Sequence, residues 1–153
     1  MRKTSVLLAT LGLAVAGALL PITSAQASAA CDTAWNNATS GRFGAFQNTN
    51  CAGVLGSDAD DDSNWADSAG SFQGSDNDKA SSLLHKGTSG LAVKVYSDAN
   101  YRGNYGCVTK GEKYVSNLHD NYLTGGSGSY RAWDSISSHK WVTEADCNGA
   151  FLS

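Results

Sequence analysis

Aspartate dominates the residues able to carry chemistry: 12 of the 14 acidic side chains are Asp, and only Glu112 and Glu144 are Glu. Short carboxylates suit turns and hard-oxygen coordination better than helices. The densest run, Asp58-Ala59-Asp60-Asp61-Asp62-Ser63, fails as an EF-hand loop. Its sixth position is Ser63 where glycine is needed, and its twelfth is Ala69 where a bidentate Glu is needed. A solvated acidic loop is the expectation there. Gly125-Gly126-Ser127-Gly128-Ser129 lacks the closing glycine of a nucleophile elbow. His85, His119 and His139 stand too far apart for a His-x-x-x-His zinc pair and are expected at the surface or at strand ends. No catalytic residue is assigned, and the chain is read as a non-enzyme.

Cysteine is the second reactive type. Cys31, Cys51, Cys107 and Cys147 all follow an N-terminal leader in which Arg2 and Lys3 precede an apolar run from Val6 to Leu20. Pro21 and the small-residue site Ala25-Gln26-Ala27 come next, so residues 1–27 read as a signal peptide cleaved after Ala27. The run is too short to span a membrane, and the product is expected outside the cell. An even cysteine count in an exported chain implies two disulfides. Three connectivities are open; Cys31 with Cys51 and Cys107 with Cys147 is preferred because each pair stays within one half of the chain. Without Arg2 and Lys3, nine basic side chains face 14 acidic ones, a formal charge of minus 5 that disfavours nucleic acid as a partner.

The elements that position these groups follow from an internal repeat. Phe46, Cys51 and Gly53 recur as Tyr96, Tyr101 and Gly103, displaced by 50 residues. Ser63-Asn64-Trp65 recurs as Ser116-Asn117-Leu118 at 53, and Asp78-Lys79-Ala80-Ser81-Ser82 as Asp134-Ser135-Ile136-Ser137-Ser138 at 56. The growing offset places extra residues in Thr124–Ser129, a flexible surface loop by composition. Residues 28–39 form an N-terminal segment, and residues 40–153 one domain made of motif one (40–86) and motif two (91–142). Alternation of Leu91, Val93 and Val95 predicts a strand, and Val115, Leu118, Ile136, Trp141 and Val142 extend the core. The expected architecture is an all-β antiparallel sandwich with no helix of consequence.

In each copy the two aromatic positions five apart, the glycine two residues after the second and a distant serine suit a hairpin folded back on its sheet. Gly53 and Gly103 would take positive φ, and Ser82 and Ser138 would satisfy the bent backbone. This signature resembles the Greek-key motif of the βγ-crystallin fold, in which two motifs make one domain. The first copy departs from it at Cys51, where an aromatic is expected. With the leader, the paired cysteines and Asn77-Asp78-Lys79-Ala80-Ser81-Ser82, the chain also resembles the bacterial metalloproteinase-inhibitor type of secreted peptidase inhibitor. That resemblance implies a monomeric binding protein directed at an extracellular protease, a metalloproteinase first, with no inhibitory residue assignable. Asn77 to Ser82 is similar as well to the calcium motif of microbial βγ-crystallins. It implies calcium as cofactor, Asn77 opening the motif, and Asp78 carboxylate and Ser81 hydroxyl as ligands. Asp134 and Ser137 would form a weaker second site, because Trp133 stands where Asn or Asp is expected. The alternative function is a calcium-binding structural module without inhibitory activity.

Overall fold

The structure, a computed structural model, describes residues 24–153, so most of the expected signal peptide lies outside the described residues. Two antiparallel sheets carry the domain. In the first, β1 (Phe43–Asn48) lies between β2 (Ala52–Asp58) and β3 (Ser82–His85), and β6 (Tyr114–Val115) extends the edge beyond β3. In the second, β4 (Ala92–Asp98) lies between β5 (Arg102–Val108) and β9 (Ser138–Val142). A short ribbon of β7 (Tyr122–Leu123) and β8 (Tyr130–Arg131) closes one end. Each motif lends a piece to the other's sheet: β6 of motif two pairs with β3, and Asp62 of motif one bridges to His139 in β9. This exchange locks the halves together, and it brings residues far apart in the chain into shared sites.

The core lies between the sheets, with Phe43, Trp65, Phe72, Leu83, Val93, Val95, Val115, Leu118 and Ile136 among its fully buried members. Trp65 stacks on Phe72 with ring centroids 4.1 Å apart. The expected strand forms, and Val93 and Val95 share the core face, but Leu91 falls just before it and Ala92 through Tyr96 are all buried, so both faces of β4 are covered. The outer face of β4 is covered because Ala92, Cys107, Val142 and Cys147 form a second small cluster there. Thr124–Ser129 is also less free than its composition suggests: buried Gly125 exchanges both backbone hydrogen bonds with Tyr105.

The N-terminal segment is helical, which corrects the expectation of no helix of consequence. α1 spans Ser24–Asn37, so the expected cleavage site after Ala27 falls inside it. Five alanines between positions 25 and 34 favour the helix, and Cys31, Ala34, Trp35 and Ala38 follow the i, i+3, i+4, i+7 spacing of a single face. That face packs on Phe46, Leu84 and Tyr114. Trp35 Nε1–H donates to the His85 carbonyl at 3.1 Å, and the Lys86 ammonium lies 4.1 Å from the Trp35 ring. Lys86 also donates to the Trp35 and Asn36 carbonyls, placing a cation where the helix dipole is negative. Among the described residues, no helix is long and apolar enough to cross a membrane.

The disulfides are Cys31–Cys51 and Cys107–Cys147. The first ties α1 to the β1–β2 hairpin. The second ties β5 to the 3₁₀ turn Glu144–Cys147 that follows β9.

Candidate cation site

The site is built on two folded hairpins that match residue for residue. Asn50 and Cys51 have φ of 61° and 56°, and Asn100 and Tyr101 have 60° and 58°, so both turns run through two consecutive left-handed residues. Gly53 and Gly103 follow with φ of 70° and 74°. A Cβ on Gly103 would stand 2.2 Å from Ser97 Oγ, so glycine is required there by space as well as by conformation. Ser82 Oγ accepts from the Cys51 N–H at 3.0 Å and donates to the Asn48 carbonyl at 2.7 Å. Ser138 Oγ accepts from the Tyr101 N–H at 3.2 Å and donates to the Asp98 carbonyl at 2.7 Å. Each serine serves one donor and one acceptor that the bend would otherwise strand.

In motif two the serine one position earlier, Ser137, reaches the other half. Asp78 Oδ1 and the Ser97 carbonyl oxygen each lie 3.0 Å from Ser137 Oγ. Asp78 is therefore partnered with the serine of motif two, whereas the sequence grouped it with Ser81 of its own motif. Asn77 Nδ2 donates to Asp78 Oδ2 at 2.8 Å, which makes Asn77 a positioning group for the carboxylate. The exchange is reciprocal in the backbone: Asp78 N–H donates to the Ile136 carbonyl at 3.1 Å, and Asp134 N–H to the Ala80 carbonyl, next to Ser81, at 3.0 Å. Asp78 and Asp134 share left-handed φ values of 55° and 48°, which short polar residues tolerate.

Carboxylate, hydroxyl and carbonyl are hard-oxygen donors, the set calcium takes. Around Ser137 the three oxygens have one hydroxyl proton between them, so the hydroxyl serves only one of its two neighbours at full strength. A cation fits that arrangement. Asp78, Ser97, Asp98 and Asp134 also line one cleft of about 510 Å³. Burial pushes the Asp134 carboxyl above its usual range, the Asp78 charge adds to the rise, and Lys79 and His119 offset part of it. Trp133, the departure in motif two, is partly exposed and stacks on His119 at 4.1 Å.

Two expectations need correction. His85 stands at the end of β3 as expected and His139 is second in β9, but both are buried, at 1% and 0% exposure, and neither is a surface residue. His139 Nδ1 accepts from Trp65 Nε1–H at 3.0 Å and Nε2–H donates to the Asp60 carbonyl at 3.1 Å, which fixes a neutral ring. Burial lowers its pKa to about 4. His85 is held likewise between the Gly87 N–H and the Leu91 carbonyl, and burial lowers its pKa too. Nor is the acidic run wholly solvated: Asp58 and Asp62 are buried, and Asp61 Oδ1 accepts the Trp141 N–H at 2.8 Å. The sheet exchange carries this segment onto β9, a contact without a local sequence signal.

Comparison with solved structures decides the fold. A structure described as "Evolution of the eye lens beta-gamma-crystallin domain fold" aligns over 70% of this chain and 90% of its own, with TM-score 0.52 and 18% identity. The fold is that of a βγ-crystallin domain. A βγ-crystallin from Ciona intestinalis (TM-score 0.45, 20% identity, 66% of this chain and 99% of that one) also aligns. So does a βγ-crystallin from an archaeon, with TM-score 0.47, 20% identity, and 68% and 100% coverage. No family model and no curated protein matches the chain, so the peptidase-inhibitor resemblance gains no support from these comparisons. At its hairpin, motif one differs from motif two at Cys51, whose disulfide takes the place of the Tyr101 ring that packs 5.8 Å from Tyr96.

Proposed function

We propose that the protein is a secreted βγ-crystallin-type binding module whose chemistry is calcium coordination between its two Greek-key motifs. The observation that carries this reading is the oxygen trio of Asp78 Oδ1, Ser137 Oγ and the Ser97 carbonyl, drawn from both halves of the chain. Calcium bound there would supply electrostatic cross-linking of the halves. The chain's own part is to hold the carboxylate through Asn77 and the hydroxyl through the end of β9. Asp134, whose N–H donates to the Ala80 carbonyl next to Ser81, would be the weaker counterpart. Two disulfides accord with an oxidising compartment outside the cell. Equilibrium dialysis against calcium tests the reading: Asp78→Ala and Ser137→Ala should each lower the bound ion by about one equivalent, and unchanged binding by both would end it.

Inhibition of an extracellular protease is the second reading. Its support is the resemblance of the leader, cysteines and Asn77–Ser82 segment, together with Val54, 73% exposed on a hairpin stapled to α1. A rigid exposed apolar group lowers the ordering cost of docking. The segment between Cys31 and Cys51 is mostly α1 and β1, and Gly103–Lys113 is mostly β5, so the hairpin end is the better candidate for an inhibitory loop. A panel of secreted metallo- and serine proteases assayed with the parent and Val54→Asp proteins decides it. Full protease activity at saturating protein would exclude inhibition.

A further inference from the structure

The two motifs carry different segments between their matched Ser-Asn triplet and their matched aspartate. In motif one, residues 66–77 hold one aromatic side chain, Phe72, which is fully buried. In motif two, residues 119–133 hold Tyr122, Tyr130 and Trp133, at 43%, 54% and 37% exposure, and Trp133 stands where motif one has Asn77. Together with Ser129, Arg131 and Asp134, these three rings line one surface cleft of about 470 Å³. That size suits a small-ligand site, about 300 to 1,000 Å³. Folding does not require the exposure, since motif one closes its sheet with its single aromatic inside. Large apolar side chains gathered at a surface mark an interaction site.

The rings are also held in place. Tyr122 and Tyr130 sit on β7 and β8, where Leu123, fully buried, pairs with Tyr130 and anchors the ribbon. Trp133 lies between two fixed neighbours: the buried Ala132, whose N–H donates to the Asn121 carbonyl at 3.1 Å, and Asp134, whose N–H donates to the Ala80 carbonyl. Ser135 Oγ closes the turn from inside, 2.6 Å from the Arg131 carbonyl and 3.1 Å from that of Ala132. His119 backs one face of the Trp133 ring. Groups fixed before a ligand arrives lower the ordering cost of binding.

The lining defines the ligand's chemistry. Arg131 and Asp134, the two charged residues of the cleft, cancel, so nothing there selects a polyanion. An extended peptide is held mainly by main-chain hydrogen bonds along a strand edge, and β7 and β8 are two residues each. A pyranose matches the groups present. The C–H groups on its flat face meet the negative face of an aromatic ring, and its hydroxyls donate to a carboxylate and accept from a guanidinium or a serine hydroxyl. We infer that the cleft binds an uncharged chain of β-linked pyranoses, with Tyr122, Tyr130 and Trp133 as stacking platforms and Arg131 and Asp134 as the hydroxyl partners.

Calorimetric titration of the mature protein with cellohexaose, laminarihexaose and chitohexaose tests this, and excess chelator in every cell makes the result independent of calcium. At least one of the three should bind saturably. Trp133→Ala and Tyr130→Ala should each weaken that binding by about tenfold, the loss of one stacked ring. Trp133→Phe, which keeps a ring, should recover most of it, and Phe151→Ala, an exposed aromatic outside the cleft, should leave it unchanged. Circular dichroism melts confirm that each variant is folded; should Trp133→Ala unfold, the more exposed Tyr130 carries the test. No saturable binding of any of the three sugars, or undiminished binding in the folded alanine variants, overturns the proposal. So does a phage-displayed peptide retained by the parent and lost by Trp133→Ala when no sugar binds, which would assign the cleft to a peptide.

Discussion

Leu83 and Val115 meet across β3 and β6, both fully buried; at the equivalent crossing of the other sheet stand His139 and Asp62. The backbones do the same thing in both halves, but the side chains do not. The apolar pair needs only to be packed, whereas the polar pair needs fixed partners: the Trp65 indole and the Asp60 carbonyl for His139, and the Asn64 N–H for Asp62. A duplicated fold thus tolerates divergence where backbone pairing carries the architecture, and the diverged copy gains titratable groups that the other lacks.

The largest expected effects come from breaking the staples. Cys107–Cys147 spans 40 residues and Cys31–Cys51 spans 20, so in the chain-entropy account the first constrains the unfolded state more. Replacing Cys107 and Cys147 by Ala should cost about 4 kcal/mol, and replacing Cys31 and Cys51 about 3 kcal/mol, in denaturant unfolding. Equal costs would show that the helix packing lost with Cys31 matters as much as loop length.

Acid should separate the polar copy from the apolar one. The native His139 ring takes a proton only near pH 4, while the unfolded chain takes it near 6.5. The unfolded state therefore binds more protons in that window, and stability falls as pH drops through it, by up to about 3 kcal/mol from this residue. His139→Leu, which copies Leu83, should remove that share of the slope and leave a remainder from His85. At pH 7 it should cost about 1 to 3 kcal/mol, because the Trp65 N–H and the Asp60 carbonyl lose their partner. Urea unfolding at a series of pH values measures both effects.

The hairpin serines sharpen the comparison from the opposite side, since their environments are alike. Ser82→Ala and Ser138→Ala should each destabilise by about 1 to 2 kcal/mol, with or without calcium, and by nearly the same amount. A large inequality in thermal or urea unfolding would mean that the Cys31–Cys51 staple holds the first hairpin without its serine.

The repeat could be read from the chain because its markers answer local demands: left-handed backbone at Gly53 and Gly103, and a hydroxyl four residues after Asp78 and Asp134. The cysteine pairing preferred on spacing is also the pairing in the structure. α1 was legible in principle, since Cys31, Ala34, Trp35 and Ala38 share a helical face, but it runs across the expected end of the leader and so no single segment carried its whole pattern. The burial of His139, the inward turn of Asp62 and the partnering of Asp78 with Ser137 were not legible. Each depends on the exchange of segments between sheets, which joins residues 59 to 77 positions apart.

The central claim is that calcium bridges the two motifs at Asp78 and Ser137, and thermal unfolding of the parent and Asp78→Ala proteins, each in calcium and in chelator, tests it most directly. An ion that binds only the native state should stabilise the parent by about 2.7 kcal/mol at a hundredfold excess over its dissociation constant. Asp78→Ala should lose most of the gain at this site, and Asp134→Ala should lose less. An identical melting temperature for the parent in both buffers, or an undiminished calcium shift in Asp78→Ala, would contradict the account.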